Sequence, residues 1–193
     1  MDAGYALHDA YDYAEYTTAE ALEAASSAFA DFADLIPAQD EEGYFLLGTA
    51  RQLVAFRALA GTINTAKAKL TADIYMTGIG MQPINTRDIR FSGIFDGQAH
   101  ALNNVYINHA AQNTGLFGAI DAATIKNLKL TGDYYSGEKF IGGITGYAYN
   151  SRIENCDVAV TINSTVEGDG THGGLIGVNE SAGTVVENCL VNL

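Results

Sequence analysis

A short motif, in which two glycines enclose two mostly bulky apolar residues, occurs three times in the C-terminal half of the chain. Its copies are Gly115–Gly118, Gly143–Gly146 and Gly174–Gly177. Each copy is followed by a polar stretch and then by an asparagine, at Asn127, Asn155 and Asn188. Self-similarity with a period of about 30 residues is typical of a solenoid, in which no repeat buries its apolar face alone. The repeat therefore limits the fold to architectures built from stacked units.

The segment after each asparagine alternates between apolar and polar residues. The apolar positions are Leu128 and Leu130, then Cys156, Val158 and Val160, then Cys189 and Val191. A period of two directs successive side chains to opposite faces of a strand. Because this strand recurs once per repeat, stacking it on its equivalents predicts a parallel β-helix.

The repeated glycines and asparagines are interpreted as structural residues. The second glycines of the motif, Gly118, Gly146 and Gly177, suit corners where a positive φ or a close backbone approach excludes a side chain. The asparagines Asn127, Asn155 and Asn188 share one phase, so they either stack and bond to one another's amides or serve as turn residues. We favour turn residues, because asparagine tolerates the left-handed conformation.

The two cysteines, Cys156 and Cys189, follow their asparagines at the same position in successive repeats. Both are expected to point inward as neighbours in one stack, and coils about 4.8 Å apart are close enough for a disulfide. Parallel strands direct the two Cβ atoms alike, however, and small buried cysteines fit a core well. Free buried thiols are therefore favoured over a disulfide.

Charge divides the chain near residue 42. Residues 1–42 hold 11 of the 23 acidic residues and none of the 10 basic ones, so the net charge of −13 is mostly an N-terminal property. Apolar spacing from Thr17 to Ile36 predicts an amphipathic helix, which Pro37 ends. We expect an acidic N-terminal segment over 1–42 and a β-helix module over 43–193.

The module is expected to begin with a strand and a helix. Tyr44–Leu47 is short and apolar, and Thr49 with Gln52 matches a capping box. An apolar stripe then runs to Gly61. This pattern predicts a helix at about 49–60 that covers the open end of the solenoid, since terminal repeats need a polar cover.

Three segments carry a resemblance to a known family. Ala68–Ile74, Phe91–Gln98 and Gly115–Gly118, in this order, resemble the GLUG-motif proteins, and the similarity runs from about Tyr44 to the C-terminus. Thr145 departs from the pattern, because a bulky apolar residue is usual there, and it predicts a local bend or a satisfied hydroxyl.

The GLUG-motif family consists of extracellular, mostly bacterial modules of adhesin-like surface proteins, some of which lie beside the peptidase domain of IgA-cleaving metallopeptidases. The resemblance implies a mainly β fold, a right-handed single-stranded parallel β-helix, to which the residue patterns above add short N-terminal helices, one of which caps the solenoid end. It also implies a non-enzymatic interaction module of a larger protein, located outside the cell or on its surface.

Catalytic signals are weak. None of the four histidines, His8, His100, His109 and His172, lies in the His-Glu-x-x-His spacing of zinc peptidases, so no metal site or cofactor is expected. The acidic residues that a polysaccharide-active β-helix enzyme could use show no convergent spacing; they are Asp133, Glu138, Asp157 and Asp169. Such an enzyme is the third candidate function, after an interaction module and a structural spacer or self-assembling subunit.

The candidate binding residues are tyrosines in the predicted loops, Tyr134, Tyr135, Tyr147 and Tyr149. Aromatic side chains on loops over a rigid scaffold suit a glycan or protein ligand; the alternative is that they pack over loop backbone. The expected partner is a host or bacterial surface glycan or protein. A chain this acidic lacks the electrostatic footprint for nucleic acid or anionic lipid.

The sequence shows no targeting or membrane segment. It contains no apolar run long enough to cross a bilayer, and no basic and apolar leader follows Met1. The strand after Asn188 runs to Leu193 without a capping element. We expect this coil to continue into a longer solenoid, to be covered by the N-terminal segment, or to associate with a second molecule.

Overall fold

Short parallel strands stack from coil to coil into a β-solenoid of about four turns. The computed structural model describes residues 36–136, 138–165 and 170–192, with the side chains of Tyr135 and Ser136 excepted. The helix predicted at about 17–36 lies outside the described residues, apart from Ile36. Residues 37–193 form one compact unit.

The described elements are 17 short strands and one helix. In chain order they are β1 Tyr44–Leu47, α1 Ala50–Thr62, β2 Lys67–Leu70, β3 Ile74–Tyr75, β4 Gly80–Met81, β5 Ile94–Asp96, β6 Ala101–His109, β7 Phe117–Asp121, β8 Thr124–Lys126, β9 Lys129–Ser136, β10 Ile141–Gly142, β11 Thr145–Tyr149, β12 Arg152–Glu154, β13 Asp157–Ser164, β14 His172–Gly173, β15 Ile176–Asn179, β16 Val185–Glu187 and β17 Leu190–Val191.

The strands of successive coils align into parallel sheets. The first sheet has the order β1-β2-β5-β8-β12-β16, and the second has the order β17-β13-β9-β6-β3 with β4 also paired to β6. The third sheet has the order β15-β11-β7, and β10 pairs with β14. The predicted mainly β solenoid is therefore confirmed.

Apolar side chains in register form the core between the sheets. Phe95, Ile125 and Ile153 stack along the first sheet, and Leu130 stacks on Val158 in the second. All five are at most 1% exposed. Full burial of such a side chain contributes roughly 1.5–3 kcal/mol to the free energy of unfolding. Burial of these apolar rows therefore stabilises the stacking of the coils.

Helix α1 begins at the predicted capping box. The backbone N–H of Gln52 donates to Thr49 Oγ1 at 3.2 Å, and the Gln52 side chain accepts from the backbone N–H of Gly48 at 2.8 Å. The helix runs past Gly61, and the N–H of Ile63 closes its last turn. The capping box therefore predicted the start of the helix correctly. The helix ends at Thr62, about two residues beyond the predicted end.

The buried face of α1 packs on the aromatic core of the first coils. The Phe56 ring lies 6.0 Å from the rings of Phe45 on β1 and Phe95 on β5, centroid to centroid. Leu53 and Ala60 complete this buried face. No helix in the described part of the chain is both long and apolar enough to cross a membrane.

Candidate functional site

The three recurring asparagines lie above one another at the corner between the first and second sheets. Asn155 Nδ2 donates to Asn127 Oδ1 at 3.1 Å, and Asn188 Nδ2 donates to Asn155 Oδ1 at 3.4 Å. Their φ angles are 54°, 54° and 50° for Asn127, Asn155 and Asn188. The two interpretations left open by the sequence therefore hold together: each asparagine is a left-handed corner residue and a rung of an amide ladder. We call these three residues the asparagine ladder.

A buried carboxylate ends the ladder on the side of the earlier coils. Asp96 is 5% exposed, and its Oδ1 accepts from Asn127 Nδ2 at 3.0 Å. Gln98 donates to it twice, from its backbone N–H at 2.9 Å and from Nε2 at 2.7 Å. The Lys126 ammonium lies 3.3 Å away. Burial alone raises the pKa of Asp96, but these hydrogen bonds and the ammonium hold it below its usual value, so the ladder ends on an anion.

A groove of about 500 Å³ follows the corner formed by the ladder. Besides the asparagines, its floor contains the first residues of three second-sheet strands, Lys129, Asp157 and Leu190, which pair in register. Gln98 and Ala99 form a lip at one end, because the corner between β5 and β6 has four residues where the later corners have two. We call this feature the corner groove.

The second glycines of the repeated motif are required by close backbone approach. A Cβ on Gly118 would lie 2.5 Å from the carbonyl oxygen of Asn85, and one on Gly177 would lie 2.5 Å from the carbonyl carbon of Phe140. Gly146 is similarly crowded by the backbone of Asn113. Close approach, rather than a left-handed φ, is therefore the reason for glycine at these positions.

Both cysteines are free thiols. Cys156 is 1% exposed and donates to the Glu154 carbonyl oxygen at 3.3 Å, while the partly exposed Cys189 donates to the Glu187 carbonyl oxygen at 3.2 Å. Burial raises the pKa of Cys156 to about 12. This thiol is protonated at neutral pH and serves as a small core residue.

Tyr134 is not an exposed loop residue, and its interpretation as a binding residue is wrong. It lies in β9, in register with Ile107 and Ile162, and it is fully buried. Its hydroxyl donates to the carbonyl oxygen of Gly143 at 3.1 Å, and burial raises its pKa. Tyr135 follows in the same strand, and its side chain lies outside the described residues.

Tyr147 is also covered, so it offers no free aromatic face. It is 2% exposed because the guanidinium groups of Arg87 and Arg90 lie 4.7 and 4.9 Å from its ring centroid. Its hydroxyl donates to Glu180 Oε2 at 3.0 Å. The neighbouring Thr145 is buried, and its hydroxyl donates to the carbonyl oxygen of Tyr147 at 2.8 Å, which is the satisfied hydroxyl that the sequence predicted as one alternative.

The two arginines belong to a loop that the sequence did not single out. Ile84 and Phe91 each bridge onto β7, and the loop 85–90 between them places its arginines over the third sheet. Arg90 donates to Asp121 Oδ2 at 3.1 Å and lies 6.0 Å from the Tyr149 ring centroid.

Tyr149 is 36% exposed and is the candidate tyrosine that remains accessible among those whose side chains are described. It belongs to a set of side chains joined by ring stacking and ion pairs, which we call the arginine–tyrosine patch: Arg87, Arg90, Asp121, Tyr147, Tyr149 and Glu180. Tyr147 on β11 pairs in register with Ala119 on β7. The change from alanine to tyrosine between equivalent positions was the sequence signal for this patch.

The described acidic candidates are not brought together. Asp133 on β9 lies opposite Thr161, whereas Asp157 on β13 lies opposite Lys129. Four strand residues separate these positions, which corresponds to roughly 13 Å. Glu138 lies in the loop after β9, and Asp169 lies outside the described residues. Within the described ranges, no group of three or more His, Cys, Asp or Glu side chains is arranged to hold a metal ion.

Comparison with known proteins identifies one family motif. Residues 141–169 match the family model described as the GLUG motif. The match and the β-solenoid architecture fit a GLUG-motif β-helix protein, which confirms the resemblance carried by the sequence. No solved structure matches the chain.

Two curated relatives are similar over most of this chain. A halomucin of Haloquadratum walsbyi is 31% identical over 143 residues, which is 67% of this chain and 2% of the halomucin. A Gly-rich membrane protein of Evansella cellulosilytica is 34% identical over 182 residues, which is 75% of this chain and 21% of that protein. The chain therefore spans a small part of the length of either relative.

Proposed function

We propose that this chain, a β-solenoid with a GLUG motif, is a non-enzymatic, adhesin-like interaction module of a cell-surface protein. The motif and the names of the two relatives, a halomucin and a Gly-rich membrane protein, suggest a surface or membrane-associated protein. The separation of Asp133 from Asp157 on neighbouring strands supports a role without catalysis. Its partner is a glycan or protein of a host or bacterial surface.

The observation that carries this proposal is the arginine–tyrosine patch. Tyrosine and arginine are, together with tryptophan, enriched where protein interfaces concentrate their binding energy. Tyr149 presents its ring beside Arg90, and both arginines are paired with carboxylates at 3.1 and 3.4 Å. Surface ion pairs of this kind add only about 0–1 kcal/mol to stability, but here they fix the orientation of the groups that a partner would meet. The composition of the patch favours a protein partner over a glycan.

The proposal is tested by binding to panels of surface glycans and extracellular protein domains, followed by substitution of Tyr149. Replacing an interface tyrosine with alanine typically costs about 1–2 kcal/mol, or roughly 5- to 30-fold in affinity. The matched control is Tyr75→Ala, which removes another exposed tyrosine, 64% accessible and located on the second sheet. Equal loss, or no loss, in both variants would contradict a role for the patch.

A second candidate is a structural spacer or self-assembling subunit. It is favoured by exposed apolar side chains on the coil that contains β16 and β17, where Val186 is 45% and Leu190 is 55% exposed. Exposed apolar surface favours association with another chain. A module that binds no panel member but associates with itself through these side chains would support the second candidate instead.

A further inference from the structure

We propose that the corner groove is a second binding site, which holds an extended, uncharged, hydroxyl-rich polysaccharide chain along the solenoid axis. The groove is lined by residues of four successive coils, and none of them belongs to the arginine–tyrosine patch. The groove is therefore separate from the arginine–tyrosine patch. The inference rests on the proposed function, an interaction module, and names the class of ligand that this second site would bind.

The groove repeats the same two positions from coil to coil. Each rung presents one ladder asparagine and, next to it, the first residue of a second-sheet strand, as in Asn155 with Asp157. Neighbouring rungs are about 4.8 Å apart, which is close to the length of one pyranose unit in an extended chain. A polymer lying along the axis would meet equivalent groups at successive sugars.

The ladder amides retain hydrogen-bonding capacity on their open side. A primary amide has two N–H donors and two acceptor lone pairs. Within the ladder, Asn155 donates one N–H to Asn127 and accepts one from Asn188, and its side chain is exposed. One donor and one acceptor per rung match a sugar hydroxyl, which also donates and accepts. The apolar side chains of Ala99 and Leu190 offer contact to the C–H face of a ring.

The backbone of the groove does not favour a peptide ligand. The N–H groups of Asn127, Asn155 and Asp157 donate to carbonyl oxygens of neighbouring coils at 2.9–3.0 Å, and Leu190 N–H donates likewise at 2.8 Å. A peptide that added as a strand would need such groups to be unpaired. The floor therefore recognises its ligand through side chains.

The charges in the groove favour an uncharged polymer over an anionic one. Lys129 and Asp157 are paired in register on the floor, so one cation is offset by one carboxylate. Asp96 adds a second carboxylate beneath the lip, although Lys126 lies beside it. Residues 43–193, which contain the groove, hold 12 acidic and 10 basic side chains, a net charge of −2. A polyanion would therefore gain no net attraction from the module, whereas a neutral polysaccharide needs none.

Tryptophan fluorescence can test the groove directly, because the sequence contains no tryptophan and an introduced indole is the sole source of the signal. In the full chain, Leu190→Trp places a single indole at the groove, where a 55% exposed leucine tolerates replacement. Titration with cellohexaose and chitohexaose is expected to change its emission saturably. Tyr75→Trp, whose indole lies outside the groove residues, is expected to show no change. Oligogalacturonate and a Gly-Ser peptide serve as anionic and peptide probes, and saturable binding of either one in place of the neutral sugars would overturn the inference.

Calorimetry on the tryptophan-free chain separates this site from the patch. Lys129→Ala and Asn155→Ala are each expected to weaken hexasaccharide binding by about fivefold or more, since each removes a hydrogen-bonding group. Lys129→Ala leaves the ladder intact and so remains informative where Asn155→Ala lowers stability. Tyr149→Ala is expected to leave hexasaccharide binding unchanged. Loss of hexasaccharide binding in Tyr149→Ala alone, or no hexasaccharide binding by the wild type, would overturn the groove site. Neither result would decide whether the arginine–tyrosine patch binds a protein partner.

Discussion

The asparagine ladder depends on the buried carboxylate at its end, and replacing Asp96 tests this dependence. Asp96 accepts three hydrogen bonds, one from Asn127 and two from Gln98, and pairs with Lys126. Asparagine at this position keeps one acceptor oxygen, but its NH2 group meets the Gln98 and Lys126 donors. Since hydrogen bonds to charged groups contribute about 1.5–3 kcal/mol each, Asp96→Asn is expected to lower the free energy of unfolding by about 2–4 kcal/mol.

The effect of Asp96→Asn should depend on pH in a defined direction. The folded-state pKa of Asp96 lies below its ordinary value, which is about 3.9 in an unfolded chain. Its stabilisation is therefore fully present above that pH and is lost as the pH falls through the folded-state pKa. The difference in stability between the wild type and Asp96→Asn is expected to be largest near neutral pH and to shrink below about pH 4.

Urea denaturation followed by far-ultraviolet circular dichroism measures this difference at neutral and acidic pH. The control is Asp88→Asn, which makes the same chemical change at an exposed position in the loop 85–90 and is expected to alter stability by less than about 0.5 kcal/mol. A gap of the same size at both pH values would refute the assignment to the carboxylate. Equal effects of Asp96→Asn and Asp88→Asn would refute the role of the ladder's end.

Three further outcomes are expected. Tyr134→Phe should lower stability by about 1 kcal/mol in urea denaturation, because the buried Gly143 carbonyl oxygen loses one of its two donors and keeps only the Leu116 backbone N–H; no change would mean that the hydroxyl hydrogen bond is not formed. Leu130→Asp should unfold the module at a cost of about 4 kcal/mol or more, whereas Lys129→Asp on the outer face should be tolerated; equal melting temperatures would contradict the assigned strand phase. The 193-residue chain, studied alone, is expected to associate with increasing concentration through the coil that carries the exposed Val186 and Leu190, and Val191→Lys in that coil should abolish this in sedimentation.

Local patterns were sufficient to predict the scaffold. The period-two alternation at Leu130 and Val158 identified the buried face, because every strand must bury one face against its neighbours. The hydroxyl of Thr49 identified the start of α1, because the first N–H groups of a helix need an acceptor. The common phase of Asn127 and Asn155 identified the ladder position, although sequence could not decide between stacking and turn geometry, which the structure combines.

Tyr134 was wrongly assigned to a loop because strand β9 is longer than the sequence pattern indicated. The apolar alternation was taken to end at Leu130, whereas β9 continues to Ser136. The alternation from Leu130 continues through Gly132 to Tyr134, but glycine followed by Asp133 is also typical of a turn. In the structure Gly132 pairs with Val105, where a Cβ would collide with the Val105 backbone. The glycine marks a close approach between neighbouring strands, and only the register of β6 reveals it.

The arginine–tyrosine patch could not be predicted because its parts are far apart in sequence. Tyr147 alternates like an exposed strand residue, and nothing local shows that Arg87 and Arg90 lie over it. Their loop reaches this position because Ile84 and Phe91 both bridge onto β7. Such a cover depends on the path of an earlier coil, so a period derived from the later repeats contains no information about it.

Departures from the repeat shape both candidate surfaces. The asparagine ladder and the stacked apolar rows recur in the later coils, so they determine the solenoid and give the corner groove its equivalent rungs. The lip of the corner groove exists because the corner at Gln98 is two residues longer than the later ones. The patch exists because the loop 85–90 leaves the coil and because Tyr147 replaces the small residue found at Ala119. A repeated residue such as Asn155 therefore sets the regular spacing of a surface, whereas a residue that breaks the repeat and is held in place by several contacts limits which ligand that surface can take.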